Sequence, residues 1–91
     1  MPIICKFLGI IITMYWEKDA QHHRAHFHAK YGNDRCVFAI PELTVLADKL
    51  KLPAKQMNLV KPWANQHIEE LILNWRLVEQ KDQPIRIGGL K

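Results

Sequence analysis

From Leu59 to Val78 the large apolar residues return at every third or fourth position: Leu59, Val60, Trp63, Ala64, Ile68, Leu71, Ile72, Trp75 and Val78, with His67 in the same series. Only a helix gathers such a series into one stripe, and a stripe that wide has to be covered by another layer. Pro53 suits the first turn of this helix, where its missing N–H costs nothing. Pro62 lies inside the pattern and removes a backbone hydrogen bond there, so a kink is expected. The phase is kept across it, which predicts one long kinked helix rather than two.

The covering layer is written in the first half of the chain. Residues 1–16 are rich in Ile, Phe, Met, Tyr and Trp around Gly9, as two strands or one strand bent at the glycine would be. His26-Phe27-His28-Ala29-Lys30-Tyr31 alternates, with the histidines and Lys30 on one face and Phe27, Ala29 and Tyr31 on the other. Gly32-Asn33-Asp34 supplies a turn, and Arg35 to Ile40 returns as a strand, making residues 26–40 a β-hairpin. Leu43-Thr44-Val45-Leu46-Ala47 is a further short strand candidate, and residues 83–89 read as an edge strand ending in a flexible tail. The expectation is an α+β domain in which an antiparallel sheet of four to six strands packs against one long, Pro62-kinked C-terminal amphipathic helix.

With 91 residues the chain has room for one core, and residues 1–91 are read as one domain. Forty-eight per cent of residues are hydrophobic and 24% charged, the balance of a folded globular domain. A core this small favours added stability from a second copy or a small cognate protein. Thirteen basic against nine acidic residues give a net charge of +4. That sign favours acidic proteins or nucleic acid as partners, although no run of like charge marks where they would bind.

Cys5 and Cys36 lack the paired spacing of a zinc knuckle or redox motif and are read as buried thiols. The apolar N-terminal stretch is opened by Pro2, broken by Lys6 and followed by no small-residue cleavage site. Its longest run, Phe7 to Ile12, is far below the roughly 20 residues of a membrane span. A cytosolic protein is expected.

Four of the five histidines, His22, His23, His26 and His28, fall within seven positions. On a strand, His26 and His28 leave the same face with Cα atoms about 6.5–7 Å apart. That distance suits two ligands of a zinc-type ion, a proton-transfer pair, or two imidazoles that merely shape the sheet through hydrogen bonds. A third metal ligand would come from Asp19, His22, His23 or His67. The last lies between Trp63 and Trp75 on the helical stripe, within reach of Glu70, Asn74 or the His26–His28 strand. His26, His28 and His67 are therefore the candidate catalytic and metal-binding residues, with Arg24, Lys30 and Arg35 as candidate anion contacts. There is no phosphate-binding glycine loop, no nucleophile elbow and no H-E-x-x-H zinc motif. Glu69 and Glu70 are adjacent on a helix and point about 100° apart, a solvated face rather than an acid–base pair.

Phe7-Leu8-Gly9-Ile10, Met14-Tyr15, His26-Phe27-His28-Ala29 with Tyr31-Gly32, Leu52-Pro53, Trp63, His67, Glu70-Leu71 and Asn74-Trp75 occur here in one order. Together they resemble the small prokaryotic family called domain of unknown function 4160, over nearly the whole chain. The resemblance implies that His26, Phe27, His28, Trp63, His67 and Trp75 are the characteristic positions. Family members have no established activity, and the resemblance implies a place in two-gene modules or mobile cassettes of toxin–antitoxin type. Two prolines and an Asp-His pair usual before the H-F-H are replaced here by Arg24-Ala25 and a longer loop with Asp19, His22 and His23. Three functions remain open. The chain is an accessory component acting through protein contact as a homodimer or with a small partner, a small histidine-dependent ribonuclease-like enzyme, or a nucleic-acid-binding module. The aromatic residues fall mainly at core positions, which argues against a base-stacking platform.

Overall fold

The computed structural model describes residues 3–16, 24–45 and 52–89. Four strands, β1 (Ile3–Phe7), β2 (Ile10–Thr13), β3 (His26–Tyr31) and β4 (Asp34–Ala39), are followed by helices α1 (Ala54–Gln66) and α2 (Ile68–Glu79). The strands form one antiparallel sheet in the order β1-β2-β3-β4.

Gly9 ends the first strand rather than bending it. Leu8 and Gly9 both have positive φ, 50° and 80°, the backbone that closes a two-residue hairpin with the right-handed strand twist. A side chain at residue 9 would also stand 3.1 Å from the Tyr31 ring. The second hairpin closes through Gly32 and Asn33, with Tyr31 opposite Asp34. A β-bulge between Ile3 and Cys5 lets Ile4 and Cys5 both turn inward, where each is buried.

The segment expected as a further strand makes a single bridge, Val45 to Phe38, and the Ala39 N–H donates to the Thr44 carbonyl. Leu46 and Ala47 lie outside the described residues. Positive φ at Leu43 interrupts the extended backbone just before the bridge, so the sheet has four strands among the described residues.

The long kinked helix is two helices, and the division is at His67 rather than at Pro62. Pro53 precedes α1 as its N-cap, its carbonyl accepting from Met57 at 3.0 Å. Pro62 is exposed and α1 continues through it. His67 leaves helical geometry (φ −122°, ψ 26°) and its N–H donates to Ala64, three residues back, instead of four. Its own carbonyl then accepts from Leu71 and starts α2. A one-residue break of this kind does not move the stripe. Val60, Trp63 and Ala64 of α1 and Leu71, Asn74, Trp75 and Val78 of α2 are all buried.

Trp63 is the centre of the core. It is fully buried, stacks on Phe7 at 5.5 Å and meets Phe27 edge-on at 6.1 Å, while Phe27 stacks on Phe38. Its indole N–H donates to the Gly88 carbonyl at 2.8 Å. The C-terminal segment is thereby laid along β1, where the Ile87 N–H donates to Ile4 at 2.7 Å. It lies at the sheet edge as expected, but without regular strand structure. No helix among the described residues is long and apolar enough to cross a membrane.

Cys5, Ile12, Ala29 and Cys36 form one cross-strand row on the core face. The two cysteines are thus three strand spacings apart, roughly 14 Å, far beyond disulfide reach. Both are free and buried.

Candidate functional site

Strand alternation sends Phe27, Ala29 and Tyr31 towards the helices and His28 and Lys30 to the other face of the sheet. The pairing register turns that alternation into rows. Lys6 pairs with Ile11, Ile11 with Lys30, and Lys30 with Arg35, so one row crossing all four strands carries three cations. The next row carries Ile3, Thr13, His28 and Val37.

Lys30 and Arg35 are direct cross-strand neighbours, whose Cβ atoms are about 4.5–5.5 Å apart, an arrangement that is destabilising for like charges. Lys6, Lys30 and Arg35 are exposed and form no ion pair among the described residues. Asp34 is the one acidic residue in the four strands. It pairs with Tyr31 and has the opposite parity, so nothing on the strands neutralises the row.

The histidines divide into two places. His26 opens β3 and is buried. Its Nδ1 lies 2.7 Å from the Arg24 carbonyl, an acceptor only, so Nδ1 carries the proton and donates. The His26 ring lies 5.0 Å from Trp75 and meets His28 edge-on at 5.3 Å, and His28 stacks on Tyr15 at 4.9 Å and 10°. Trp16 completes the run against Trp75 at 5.8 Å. Five rings thus connect α2 to the sheet face turned away from the helices, which is open among the described residues.

His67 is elsewhere. It packs against Trp63 at 5.5 Å, and its Nδ1 donates to Glu70 Oε1 at 2.6 Å. Of the partners open to it, it takes Glu70, and Asn74 is engaged with Ile85. Among the described residues no three His, Cys, Asp or Glu side chains gather where one ion could be held. His26 and His28 are therefore brought together and His67 is not brought to them. Asp19, His22 and His23 lie outside the described residues.

The anion contacts also separate. Arg24 forms an ion pair with Glu42 and uses its carbonyl to orient His26, whereas Lys30 and Arg35 share the cationic row. Lys6 was not singled out by sequence reasoning. Its signal was parity: it alternates with inward Cys5 and Phe7.

Beside the ring run, a groove of about 310 Å³ is lined by Tyr15 and Trp16 on one side and by Val78, Lys81, Asp82, Gln83 and Pro84 on the other. Tyr15 borders this groove and also contacts His28, joining the groove to the open face.

Comparison with curated proteins and with solved structures gives no match. The model of the family described as "Domain of unknown function (DUF4160)" matches residues 9–76, about three quarters of the chain. The matched span runs from the first hairpin through Trp75, and so includes the H-F-H strand, Lys30, Arg35 and both helical tryptophans. The chain belongs to the DUF4160 family.

Proposed function

We propose that this chain is a binding component, acting in the cytosol within a small toxin–antitoxin-like or mobile-cassette module, that holds an acidic macromolecular partner on the open face of its sheet. The observation that carries this reading is the Lys30–Arg35 pair in line with Lys6. Like charges set opposite one another cost folding stability, and a local cost without structural return is the mark of a functional surface. The net charge of +4 adds long-range attraction for the same class of partner. Two copies docked through this face would bring two cationic rows together, so the partner here is not a second copy. A homodimer would form through another surface.

NMR titration with polyglutamate or a heparin fragment tests the reading. Amide shifts concentrated at Lys6, Thr13, His28, Lys30, Arg35 and Val37 are expected. Shifts confined to the helices, or none at saturating polyanion, would overturn it.

A second reading, histidine-dependent RNA cleavage, draws on the Arg24 carbonyl that fixes the His26 tautomer. With Nδ1 protonated, Nε2 is the nitrogen for base work or for a zinc-type ion. His28 would serve as the second group and Lys30 would hold the phosphate. His26→Ala and His28→Ala should then abolish cleavage of an oligoribonucleotide; cleavage that persists in both variants would end this reading.

A further inference from the structure

We infer that the outer side of α2 is a docking surface for a second copy of this chain, the two helices pairing antiparallel about Leu73. The inference is independent of the binding reading above, and it supplies the surface that a homodimer needs away from the cationic row.

The buried side of α2 carries Leu71, Asn74, Trp75 and Val78. At 3.6 residues per turn, its outer side is left to Glu69, Glu70, Leu73, Arg76 and Leu77. Leu73 stands in the middle of them and is 49% exposed. Among the described residues three large hydrophobic side chains are exposed, Leu8, Leu73 and Ile85. One of these lies on α2, and Ile85 is bonded to α2 through Asn74. A single exposed leucine carries no meaning by itself. The charges beside it give it one.

Glu69 and Arg76 fall about 40° and 60° from Leu73 on the same flank of the helix. Both are exposed and form no ion pair among the described residues. A two-fold axis normal to the plane of two antiparallel helices sets each flank against the same flank of the other copy. With that axis at Leu73, the leucine meets its own counterpart. At a rise of about 1.5 Å per residue, Glu69 then lies about 6 Å from the axis and the second copy's Arg76 about 4.5 Å from it, on the same side. Opposite charges stand almost level, and the symmetry repeats them on the far side of Leu73. The apolar contact is thus bracketed by two ion pairs, the self-complementary pattern of an isologous interface. On the other flank, half-buried Leu77 meets the second copy's Glu70, whose carboxylate accepts from His67 of its own helix.

Parallel helices would set Glu69 against Glu69 and Arg76 against Arg76, so the same charges oppose that arrangement. Glu69 in the first turn and Arg76 in the last also suit the helix dipole. The dipole asks nothing of the leucine between them, however, and a self-matching pattern of charge is what a second copy completes. Because the helices cover the face of the sheet opposite the cationic row, the dimer stacks sheet, helix, helix and sheet, with both rows facing outward.

The test is sedimentation equilibrium from micromolar to millimolar protein, the range of a small interface, on wild type, Glu69→Arg, Arg76→Glu and an equal mixture of the two variants. Wild type should show a monomer–dimer equilibrium that Leu73→Asp abolishes. Each charge variant sets like charges at both symmetry-related pairs and should weaken association roughly tenfold or more. In the mixture, one copy of each variant restores both opposite pairs, so a dimer should reappear. All these positions are exposed, and circular dichroism checks the fold. If either single variant fails to fold, the double variant Glu69→Arg, Arg76→Glu should still dimerise as wild type does. A wild type that stays monomeric, a dimer indifferent to Leu73→Asp, or folded charge variants that do not associate when mixed would overturn the inference. Monomeric Leu73→Asp should keep its heparin binding, so failure of the dimer leaves the cationic face standing.

Discussion

Asn74 holds Ile85 by both ends of its side-chain amide: Nδ2 donates to the Ile85 carbonyl at 2.9 Å, and Oδ1 accepts from the Ile85 N–H at 2.8 Å. Asn74 is almost fully buried among the apolar residues of α2, Leu71, Trp75 and Val78. Its amide imitates the two backbone groups of a neighbouring strand, so it fastens the C-terminal segment where no ladder forms. Asn74→Ala should destabilise the fold by about 1–3 kcal/mol, through the loss of two hydrogen bonds. Urea denaturation measures the loss. Faster hydrogen exchange at the Ile87 amide would show that the segment has left β1.

Pro62 is exposed, and its helix runs on through it. Replacing it with alanine restores a missing backbone hydrogen bond and removes the ring's clash with the preceding turn, while freeing the unfolded chain somewhat. Pro62→Ala should therefore stabilise the protein by about 1–2 kcal/mol, read as a higher urea midpoint with an unchanged slope.

These two residues also mark what could be read in advance. The alternation of His26 to Tyr31 and the Gly32-Asn33-Asp34 turn sufficed to place the second hairpin, though Asp34 belongs to the strand, because period two and turn chemistry are local. The break at His67 could not be read, since a single non-helical residue with an i to i−3 hydrogen bond leaves the stripe in phase. Nor could the cationic row. Including Asp34 in the turn shifts Arg35 away from Lys30, and Lys6 joins the row only through the two-residue turn at Leu8-Gly9. His26 and His28 were legible as a pair on one strand. The separation of His67 depends on its packing on Trp63 and its bond to Glu70, which spacing alone left open.

Burial pushes the thiols of Cys5 and Cys36 above their ordinary value of 9.0, with Arg86 near Cys5 and Lys61 near Cys36 opposing part of the rise. The folded protein then keeps these protons at a pH where the unfolded chain has released them. Stability is complete below pH 9.0 and falls as pH rises through the folded-state values. Denaturation midpoints should decline in that window, and the decline should be reduced in Cys36→Ala. Thiol reagents at neutral pH should label the native protein slowly and the unfolded protein at once.

Lys30 and Arg35 oppose each other across β3 and β4, and no acidic residue of the four strands shares that face. Arg35→Glu replaces repulsion by attraction and should stabilise the sheet by about 0.2–1 kcal/mol. The same change should weaken polyanion binding at least several-fold. A variant that folds more stably and binds less well separates a functional surface from a merely solvated one.

The most direct test of the cationic face is the salt dependence of affinity for a heparin fragment, wild type against Arg35→Glu. With three cations engaged, the slope of log affinity against log salt should be about −2 for a flexible polyanion. Arg35→Glu should make it shallower by about one unit. A wild-type slope near zero, or one that Arg35→Glu leaves unchanged, would contradict binding at the row formed by Lys6, Lys30 and Arg35.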